Sequence, residues 1–339
     1  MDVFSTNFLL GVLDSLLTPS QWLLQRFFPA VVTDPSEEIH FDVIDKTRRL
    51  APFVSPVVAG KIVNVQGHTT KTFKPAYVKP KGAWNPNAPL KRVPGEQLGG
   101  RISPLERLQL LVARTVMDQS DMIDRRMEVM ASEALRTGKV TVSGDSYQTV
   151  VVDFGRAAGH TVTLTAGNRW GQAGIKPLDD LETWAMLVFK ASGARPIDVV
   201  FDTDAWKLFS ADADVRALLD LRRLGNNQLN FGGPLTIGAT FQGVISGFNC
   251  WVYADWYIDP ADETEKPVLP ANSVLLGSSL IEGVRAYGAI QDEAAGFQAV
   301  PKFPKSWVEQ DPAVRFIMTQ SAPLVVPTRV NASFAATVN

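Results

Sequence analysis

The hydrophobic pattern is clearest between Ser103 and Gly138. The segment SPLE at 103–106 has the arrangement of a capping box, with proline at the first helical position. No glycine or proline interrupts the segment as far as Thr137, and Gly138 is typical of the residue that ends a helix. The sequence therefore predicts a helix of about 34 residues, roughly 50 Å long at ~1.5 Å per residue.

Apolar residues at helical spacing predict one buried stripe along this helix. The stripe consists of Leu105, Leu108, Val112, Val116, Ile123, Met127, Met130 and Ala134. Charged residues crowd the middle of the helix: Asp118, Asp121, Asp124, Arg125 and Arg126. Because heptads are not maintained, a coiled coil is not expected. We expect a spine helix that lies across a sheet, with one charged face open to water or to neighbours.

Strand-like and helical patterns alternate after this helix. Residues 139–168 alternate as strands, and helices are predicted after Pro177 and after Asp202, with further strands up to residue 290. This mixture predicts an α/β or α+β domain. The stretch AVRFIMTQSAPLVV at 313–326 is typical of a long strand. It must pair with strands far back in the sequence, and so closes a domain that begins near residue 100.

The N-terminal residues 1–30 predict two short amphipathic helices separated by Thr18-Pro19-Ser20. Trp22, Leu23, Phe27 and Phe28 form the apolar face of the second helix. Such a short segment cannot form a core alone, so these aromatics must dock on the rest of the chain or on a neighbour. The segment lacks a basic start and a run of roughly 20 apolar residues, which indicates neither a secretion signal nor a membrane helix. We therefore expect an intracellular product.

The segment from Lys61 to Glu96 is basic, with seven Lys or Arg residues and one acid. It contains two strand-like stretches and many prolines, and an isolated hairpin of this kind is barely stable in water. Phe73, Tyr77 and Trp84 are compatible with stacking on nucleic-acid bases. However, residues 145–300 carry 19 acids and 11 Lys or Arg residues, a net charge of −8. The basic hairpin could therefore lie on the acidic body of a neighbouring copy instead.

Composition limits the remaining chemistry. The chain of 339 residues has 45% apolar residues, a formal net charge of −2, one cysteine and three histidines. A structural zinc site needs about four Cys or His ligands, which would take every such residue of the chain, and no metal or cofactor is expected. Cys250 is predicted to be a buried, inert residue of an apolar strand.

No catalytic motif stands out. The glycine-rich segment GNNQLNFGGP lacks the Lys-Ser/Thr ending of a phosphate-binding loop and is interpreted as a surface loop. Acid pairs near Asp179, Asp202 and Asp212 precede helices, where carboxylates favour the positive end of the helix dipole. His68 is predicted to be solvated in a polar loop. The sequence thus gives no reason to expect an enzyme.

Six segments together resemble the major capsid proteins of phage lambda and its relatives, which have the tailed-phage capsid fold of the Hong Kong 97 type. These segments are FVSPVVAGKIV (53–63), FKPAYVKPKGAWNP (73–86), LKRVPGE (90–96), VFDTDAWKLF (200–209), GVRAYGAIQDEAAG (283–296) and FPKSWVEQDPAVRFIMTQSAPL (303–324). They occur in the family's order over nearly the whole chain. The matches fade in the first 20 residues and in 224–245.

The resemblance implies an α+β fold with five parts. These are an N-terminal arm and lead-in (1–56), an extended β-hairpin loop (57–101), a peripheral domain with the spine helix (102–178), a mixed α/β axial domain (179–296), and a return to the peripheral domain with a C-terminal tail (297–339). The extended loop would overlie an adjacent subunit, and five or six axial domains would converge in a ring. The arm would bind a neighbour.

The resemblance also implies the function and the partners. The chain would self-assemble into hexamers and pentamers that form the icosahedral head shell around the double-stranded DNA genome, which is packaged without sequence specificity. Scaffolding, portal and decoration proteins are the expected partners, membranes are not, and assembly would occur in the cytoplasm of the host bacterium. An encapsulin-like compartment and a single-stranded nucleic-acid-binding protein are the alternatives.

Seven residues are the candidates for subunit contacts. Four are basic residues of the extended loop: Lys79, Lys81, Lys91 and Arg92. The other three are the arm aromatics Trp22, Phe27 and Phe28. For each, an ordinary solvated charge or a locally packed ring is the alternative interpretation.

Overall fold

The computed structural model describes residues 9, 21–36, 38–44, 50, 53, 56, 68–85, 87–91, 103–144, 147–218, 238–310 and 314–339. Its main α-helices are α1 (Trp22–Phe27), α2 (Pro104–Thr137), α3 (Pro177–Ser192) and α4 (Thr203–Ala211).

The strands group into one large sheet and several small ones. They are β1 (Ala30–Asp34), β2 (Ile39–Ile44), β3 (His68–Phe73), β4 (Lys81–Trp84), β5 (Lys139–Gly144), β6 (Tyr147–Asp153), β7 (Thr161–Thr163), β8 (Asp198–Phe201), β9 (Ala239–Ile245), β10 (Phe248–Tyr253), β11 (Trp256–Ile258), β12 (Glu265–Pro267), β13 (Ser273–Gly277), β14 (Gly283–Gly288), β15 (Phe303–Glu309), β16 (Val314–Gln320), β17 (Pro323–Pro327) and β18 (Phe334–Thr337). The large sheet has the order β7-β18-β13-β8-β10-β9, and two three-stranded sheets have the orders β1-β14-β17 and β15-β16-β4. The pairs β2-β3, β5-β6 and β11-β12 form two-stranded antiparallel sheets.

The spine helix α2 has the predicted ends. The Ser103 hydroxyl accepts a hydrogen bond from the Glu106 backbone N–H, and the Glu106 carboxylate accepts one from the Ser103 N–H at 2.7 Å. This reciprocal pair satisfies backbone donors that the first helical turn leaves free. Gly138 ends the helix with φ +69°, and a Cβ at that position would lie 2.4 Å from the Cβ of Arg156. Glycine is therefore required there by both conformation and space.

The two halves of α2 pack on different sheets. Its first half buries Val112 and Val116 against Ile317 of β16. Its second half packs on the sheet of β1, β14 and β17, where Met127 receives a hydrogen bond from the Tyr287 hydroxyl at 3.3 Å. The prediction of a helix lying across a sheet is confirmed, and each half of the helix packs on a different sheet.

The charged middle of α2 is only partly open to solvent. Asp118 and Arg125 are exposed, as expected, but Asp124 is buried and forms an ion pair with Lys302 at 2.6 Å. The expectation of one fully open charged face is therefore wrong for Asp124. The reason is that Lys302 supplies the counter-charge that makes burial of a carboxylate tolerable.

The large sheet forms the second core together with α3 and α4. Leu181, Trp184 and Val188 of α3 are buried against it, and the rings of Trp184 and Phe334 lie 5.1 Å apart. Cys250 is fully buried within β10, as the sequence predicts.

The C-terminal residues belong to this large sheet. β18 lies between β13, to which it is antiparallel, and β7, to which it is parallel. The predicted return to the peripheral domain with a C-terminal tail (297–339) stays a prediction. Phe334, Ala336 and Val338 alternate into the core, which explains why the segment is a strand.

The predicted long strand at 313–326 is two strands that belong to different sheets. β16 pairs with β15 and with β4, more than 200 residues earlier, whereas β17 pairs with β14. Ser321 and Ala322 join them. The predicted pairing with a distant segment is confirmed, but the chain changes sheet at these two residues.

Strand β2 pairs antiparallel with β3. His68 is the first residue of β3, opposite Ile44, so its assignment to a loop is wrong. The sequence at 68–72 contains three threonines, which favour strands because they are β-branched.

Replacing Ser103 with alanine removes the cap of the spine helix. We expect Ser103→Ala to lower the free energy of unfolding by about 0.5–2 kcal/mol, as measured by denaturant titration of the soluble subunit. Ser103→Asn keeps a side-chain acceptor and should remain close to the wild type. Equal losses in both variants would contradict a role for the hydroxyl as a cap.

Candidate assembly surfaces

The arm helix α1 docks on its own chain. Trp22, Phe27 and Phe28 are 8%, 1% and 0% exposed, respectively. The Trp22 ring lies 5.0 Å from that of Trp251 and 6.2 Å from that of Tyr253, both on β10. Of the two arrangements expected for these aromatics, docking on the rest of the chain is the one observed. Their contact with a neighbour stays a prediction, and they present almost no free surface in the single subunit.

Two carboxylates hold α1 at opposite sides. Glu128 of α2 accepts hydrogen bonds from the backbone N–H groups of Leu23 at 2.8 Å and Leu24 at 3.1 Å. Asp198, at the start of β8, accepts two hydrogen bonds from the Arg26 guanidinium at 2.7 and 3.0 Å. Since Glu128 lies on the spine helix and Asp198 in the large sheet, the arm helix connects the two cores.

Glu128 is almost fully buried, and burial raises its pKa to about 7. The hydrogen bonds from Leu23, Leu24 and the Tyr253 hydroxyl oppose this shift by stabilising the charged form. Asp255 also raises the pKa of Glu128 by charge repulsion. Burial, together with the nearby Glu128 carboxylate, raises the pKa of Tyr253 well above its usual value.

The basic candidates of the extended loop lie in different places. Lys79 places its ammonium 4.5 Å from the centre of the Tyr77 ring. Lys81 begins β4, and Lys91 is exposed just after the short helical turn Ala88–Leu90. Arg92, together with residues 57–67 and 93–101 of the predicted loop, lies outside the described residues. The segment around Lys81 is part of the subunit's own sheet because β4 pairs with β16.

One side of the β15-β16-β4 sheet carries aromatic and basic side chains, and we call it the aromatic-lysine face. It consists of Lys81, Lys305, Trp307, Phe316 and Met318, which are cross-strand neighbours. The rings of Trp307 and Phe316 are stacked 5.5 Å apart. The Lys81 ammonium lies 3.7 Å from the centre of the Phe316 ring and 5.1 Å from that of Trp307. A hollow of about 370 Å³ is lined by Lys305, Trp307 and Met318.

Residues 255–267 form a second distinctive surface, which we call the acidic hairpin. It contains strands β11 and β12, five acids and one lysine. Trp256 and Ile258 are 48% and 68% exposed. Lys266 forms ion pairs with Asp259 at 2.7 Å and Asp262 at 2.9 Å.

The acids that precede the helices act mainly as caps. Asp202 accepts a hydrogen bond from the Asp204 N–H at 3.0 Å, and Asp212 accepts one from the Asp214 N–H at 3.0 Å. Among the described residues, no group of three or more His, Cys, Asp or Glu residues could hold a metal ion, and no helix is long and apolar enough to cross a membrane. The segment GNNQLNFGGP lies outside the residues that the structure describes.

The family model described as phage major capsid protein E matches residues 5–338. The chain belongs to this family. The match covers nearly the whole sequence, so both cores and both surfaces described above lie within it. The prediction of a lambda-type major capsid protein, a structural subunit of the phage head shell, is confirmed.

Curated relatives of this capsid protein cover almost its full length. It is 32% identical to the major capsid protein of Escherichia phage lambda over 334 residues, which are 96% of each chain. It is 33% identical to the major capsid protein of Enterobacteria phage P21, with the same coverage.

Two solved structures show the same fold. The putative capsid protein of a prophage of Escherichia coli CFT073 matches with a TM-score of 0.75 at 23% identity, covering 98% of this chain and 99% of the other. A phage-related protein of Bordetella bronchiseptica RB50 matches with a TM-score of 0.57 at 13% identity, covering 97% and 95% of the two chains. The predicted α+β capsid fold is confirmed.

Several residues that organise this capsid protein are absent from the candidates chosen by sequence. Glu128 is one of them, although the sequence contains a signal for it. Two acids lie on the same buried stripe of the helix as apolar residues, because helical spacing separates Asp124, Glu128, Ala131 and Leu135. An acid in such a stripe indicates a buried carboxylate with partners elsewhere.

The raised pKa of Glu128 predicts a specific pH dependence of stability. Its folded-state pKa of about 7 lies above the usual 4.5, so the folded protein binds the extra proton between these values. The resulting stabilisation is complete below pH 4.5 and is lost as the pH rises through about 7. The expected loss is on the order of 3 kcal/mol.

Glu128→Gln should abolish this dependence. Thermal unfolding of the soluble subunit is measured between pH 4.5 and 8.5. As the pH rises, the melting temperature of the variant should increase relative to that of the wild type. Glu106→Gln is the control, because hydrogen bonds from Ser103 lower the pKa of Glu106 and place its titration below this range. Parallel curves for the wild type and Glu128→Gln would contradict the assignment.

Proposed function

We propose that this chain assembles into hexamers and pentamers, and that these capsomers close an icosahedral head shell around the double-stranded DNA of the phage. The observation that carries the proposal is the match to the lambda major capsid protein over 96% of both chains.

The physical case rests on surfaces that the subunit leaves unpartnered. The acidic hairpin exposes Trp256 and Ile258, and the aromatic-lysine face carries the half-buried rings of Trp307 and Phe316. Exposed apolar groups of this kind favour contacts with other chains. A shell repeats each contact many times, so many individually weak interfaces together stabilise the particle.

The candidate residues act in assembly by two different means. Lys79, Lys81, Lys91 and Arg92 of the extended loop contact an adjacent subunit through charge. Trp22, Phe27 and Phe28 fix the place at which the arm leaves its own core, and this position determines which neighbour the arm meets. The burial of these rings supports this indirect role.

The chain works through assembly and not through catalysis. Scaffolding and portal proteins direct its assembly in the host cytoplasm, and a decoration protein joins the finished shell. The packaged DNA is enclosed without base recognition. This agrees with a formal net charge of −2, which gives no strong attraction to a polyanion.

Electron microscopy tests the function directly. Expressed alone or together with its scaffolding protein, the chain should form closed shells or five- and sixfold rings, with matching sizes in sedimentation. A stable monomer that binds single-stranded DNA in a salt-dependent manner would instead favour the nucleic-acid-binding alternative. A monomer that forms no rings even with the scaffold would overturn the proposal.

Charge reversal in the extended loop tests its role. Lys91→Glu combined with Arg92→Glu should prevent shell formation while leaving the subunit folded, because the basic loop then repels the acidic body of the neighbour. The matched control, Lys91→Arg with Arg92→Lys, keeps both charges and should assemble normally. Normal shells from the reversed variant would exclude these two residues from the interface.

A further inference from the structure

The aromatic-lysine face is the side of its sheet that points away from the spine helix. On that covered side, Gln119 of α2 donates a hydrogen bond to the Ile317 carbonyl at 2.8 Å and accepts one from the Thr319 hydroxyl at 2.8 Å. Side chains alternate between the two sides of a strand, so Phe316 and Met318 point away from α2. Their side of the sheet has only partly buried side chains.

The charge on this face comes from one free lysine. Lys305 forms an ion pair with Asp292 at 2.9 Å. Among the residues that the structure describes, no carboxylate lies within 4 Å of the Lys81 ammonium, which contacts only aromatic rings. A ring face and a cation attract each other, but the cation keeps its capacity to bind an acid. The face therefore suits a partner that combines apolar side chains with a few acids.

The acidic hairpin has this combination. In the antiparallel pairing, Ile258 lies opposite Glu265 and Trp256 opposite Pro267, so these four residues share one side. Tyr257 points the other way and packs on the core. Lys266 already pairs with Asp259 and Asp262, whereas Glu263 and Glu265 are exposed. The outward side of the acidic hairpin thus presents two apolar side chains with acids beside them.

The two surfaces are anchored at separate points of the spine helix. The sheet of the aromatic-lysine face is held by Gln119, and the base of the hairpin by Ser132, whose hydroxyl donates to the Val268 carbonyl at 2.6 Å. These residues are 13 positions apart, or roughly 20 Å along the helix at ~1.5 Å per residue. A contact between two different surfaces of identical chains is heterologous, and such contacts generate rings when the rotation between copies closes.

We propose that the acidic hairpin of one copy docks on the aromatic-lysine face of the next. Trp256 and Ile258 pack on Trp307 and Phe316 and into the hollow beside Met318, and Glu263 and Glu265 face Lys81. This inference rests on the proposed function, because its partner is a second copy in the shell. It adds to that function a specific contact between the acidic hairpin and the aromatic-lysine face.

A nucleic acid fits the face less well than the hairpin does. Binding along a nucleic-acid backbone requires a positively charged groove. Here Asp292 neutralises Lys305, and within the described part of the chain Lys81 is the one lysine of the face without a carboxylate partner. The hollow lined by Trp307 and Met318 requires an apolar occupant, which Trp256 or Ile258 supplies.

A charge exchange across the contact tests the proposal. Lys81→Glu alone and Glu263→Lys with Glu265→Lys should each lower the yield of assembled particles about tenfold or more. The triple variant that combines them should restore much of the yield. Lys81→Arg keeps the charge and is the matched control, and thermal unfolding of each soluble subunit shows that it folds.

Crosslinking identifies the contact independently of yield. Wild-type particles assembled from an equal mixture of ¹⁴N- and ¹⁵N-labelled subunits are treated with a zero-length carbodiimide, which joins lysine to carboxylate. Peptides that link Lys81 to Glu263 or Glu265 and carry one label of each kind support the proposal, because they come from two different copies.

The remaining outcomes overturn the proposal in distinguishable ways. If the wild type forms shells while the reversed variants assemble equally well, or if no mixed-label peptide contains Lys81 and a hairpin acid, the contact is absent and the proposed function stands. If single-stranded DNA binds wild-type subunits but not the Lys81→Glu variant, the aromatic-lysine face is a nucleic-acid-binding surface. If the wild type forms no particles with its scaffold, both proposals fail.

Discussion

The buried carboxylate of Glu128 is the interaction on which the arrangement of the subunit depends. Burying a charged group without partners is strongly unfavourable, and Glu128 has its partners only when three distant segments meet. The arm helix supplies two backbone donors, β10 supplies the Tyr253 hydroxyl, and the spine helix supplies the carboxylate. The contact thus selects one relative position for arm, spine and large sheet.

Asp198 fixes the same arm helix from the other side. It is completely buried and accepts hydrogen bonds from Arg26, Asn249 and the Trp251 indole. With Glu128 in the first core and Asp198 at the edge of the second, a helix of six residues holds both cores together. The spine helix adds a second link, because the Ser132 hydroxyl donates a hydrogen bond to the Val268 carbonyl.

The polar contacts inside the subunit also explain why its outer surfaces remain open. The spine helix uses Val112, Val116 and Gln119 to bind one side of the β15-β16-β4 sheet. Three strands with a helix on one side leave their other side uncovered, and aromatic side chains occupy it. A protein that acts alone would gain by placing polar residues there, whereas a shell subunit needs such surfaces for its copies.

The sequence by itself determined the features that depend on neighbours along the chain. The spine helix begins at Ser103 and ends at Gly138, as predicted, because caps and glycine conformation are local. The strands β5 and β6, the caps formed by Asp202 and Asp212, and the burial of Cys250 follow from patterns of a few residues. The family resemblance added the α+β capsid fold.

Tertiary structure alone decided which distant residues meet. The sequence does not reveal that Glu128 binds residues 105 positions earlier, that β18 enters the large sheet, or that the predicted strand at 313–326 changes sheet at Ser321. Nor does it reveal that Trp22, Phe27 and Phe28 are covered by their own chain. The physical reason is that local patterns fix which side of an element is apolar, whereas packing fixes what that side meets, and a buried charge becomes tolerable only after folding has brought its donors to it.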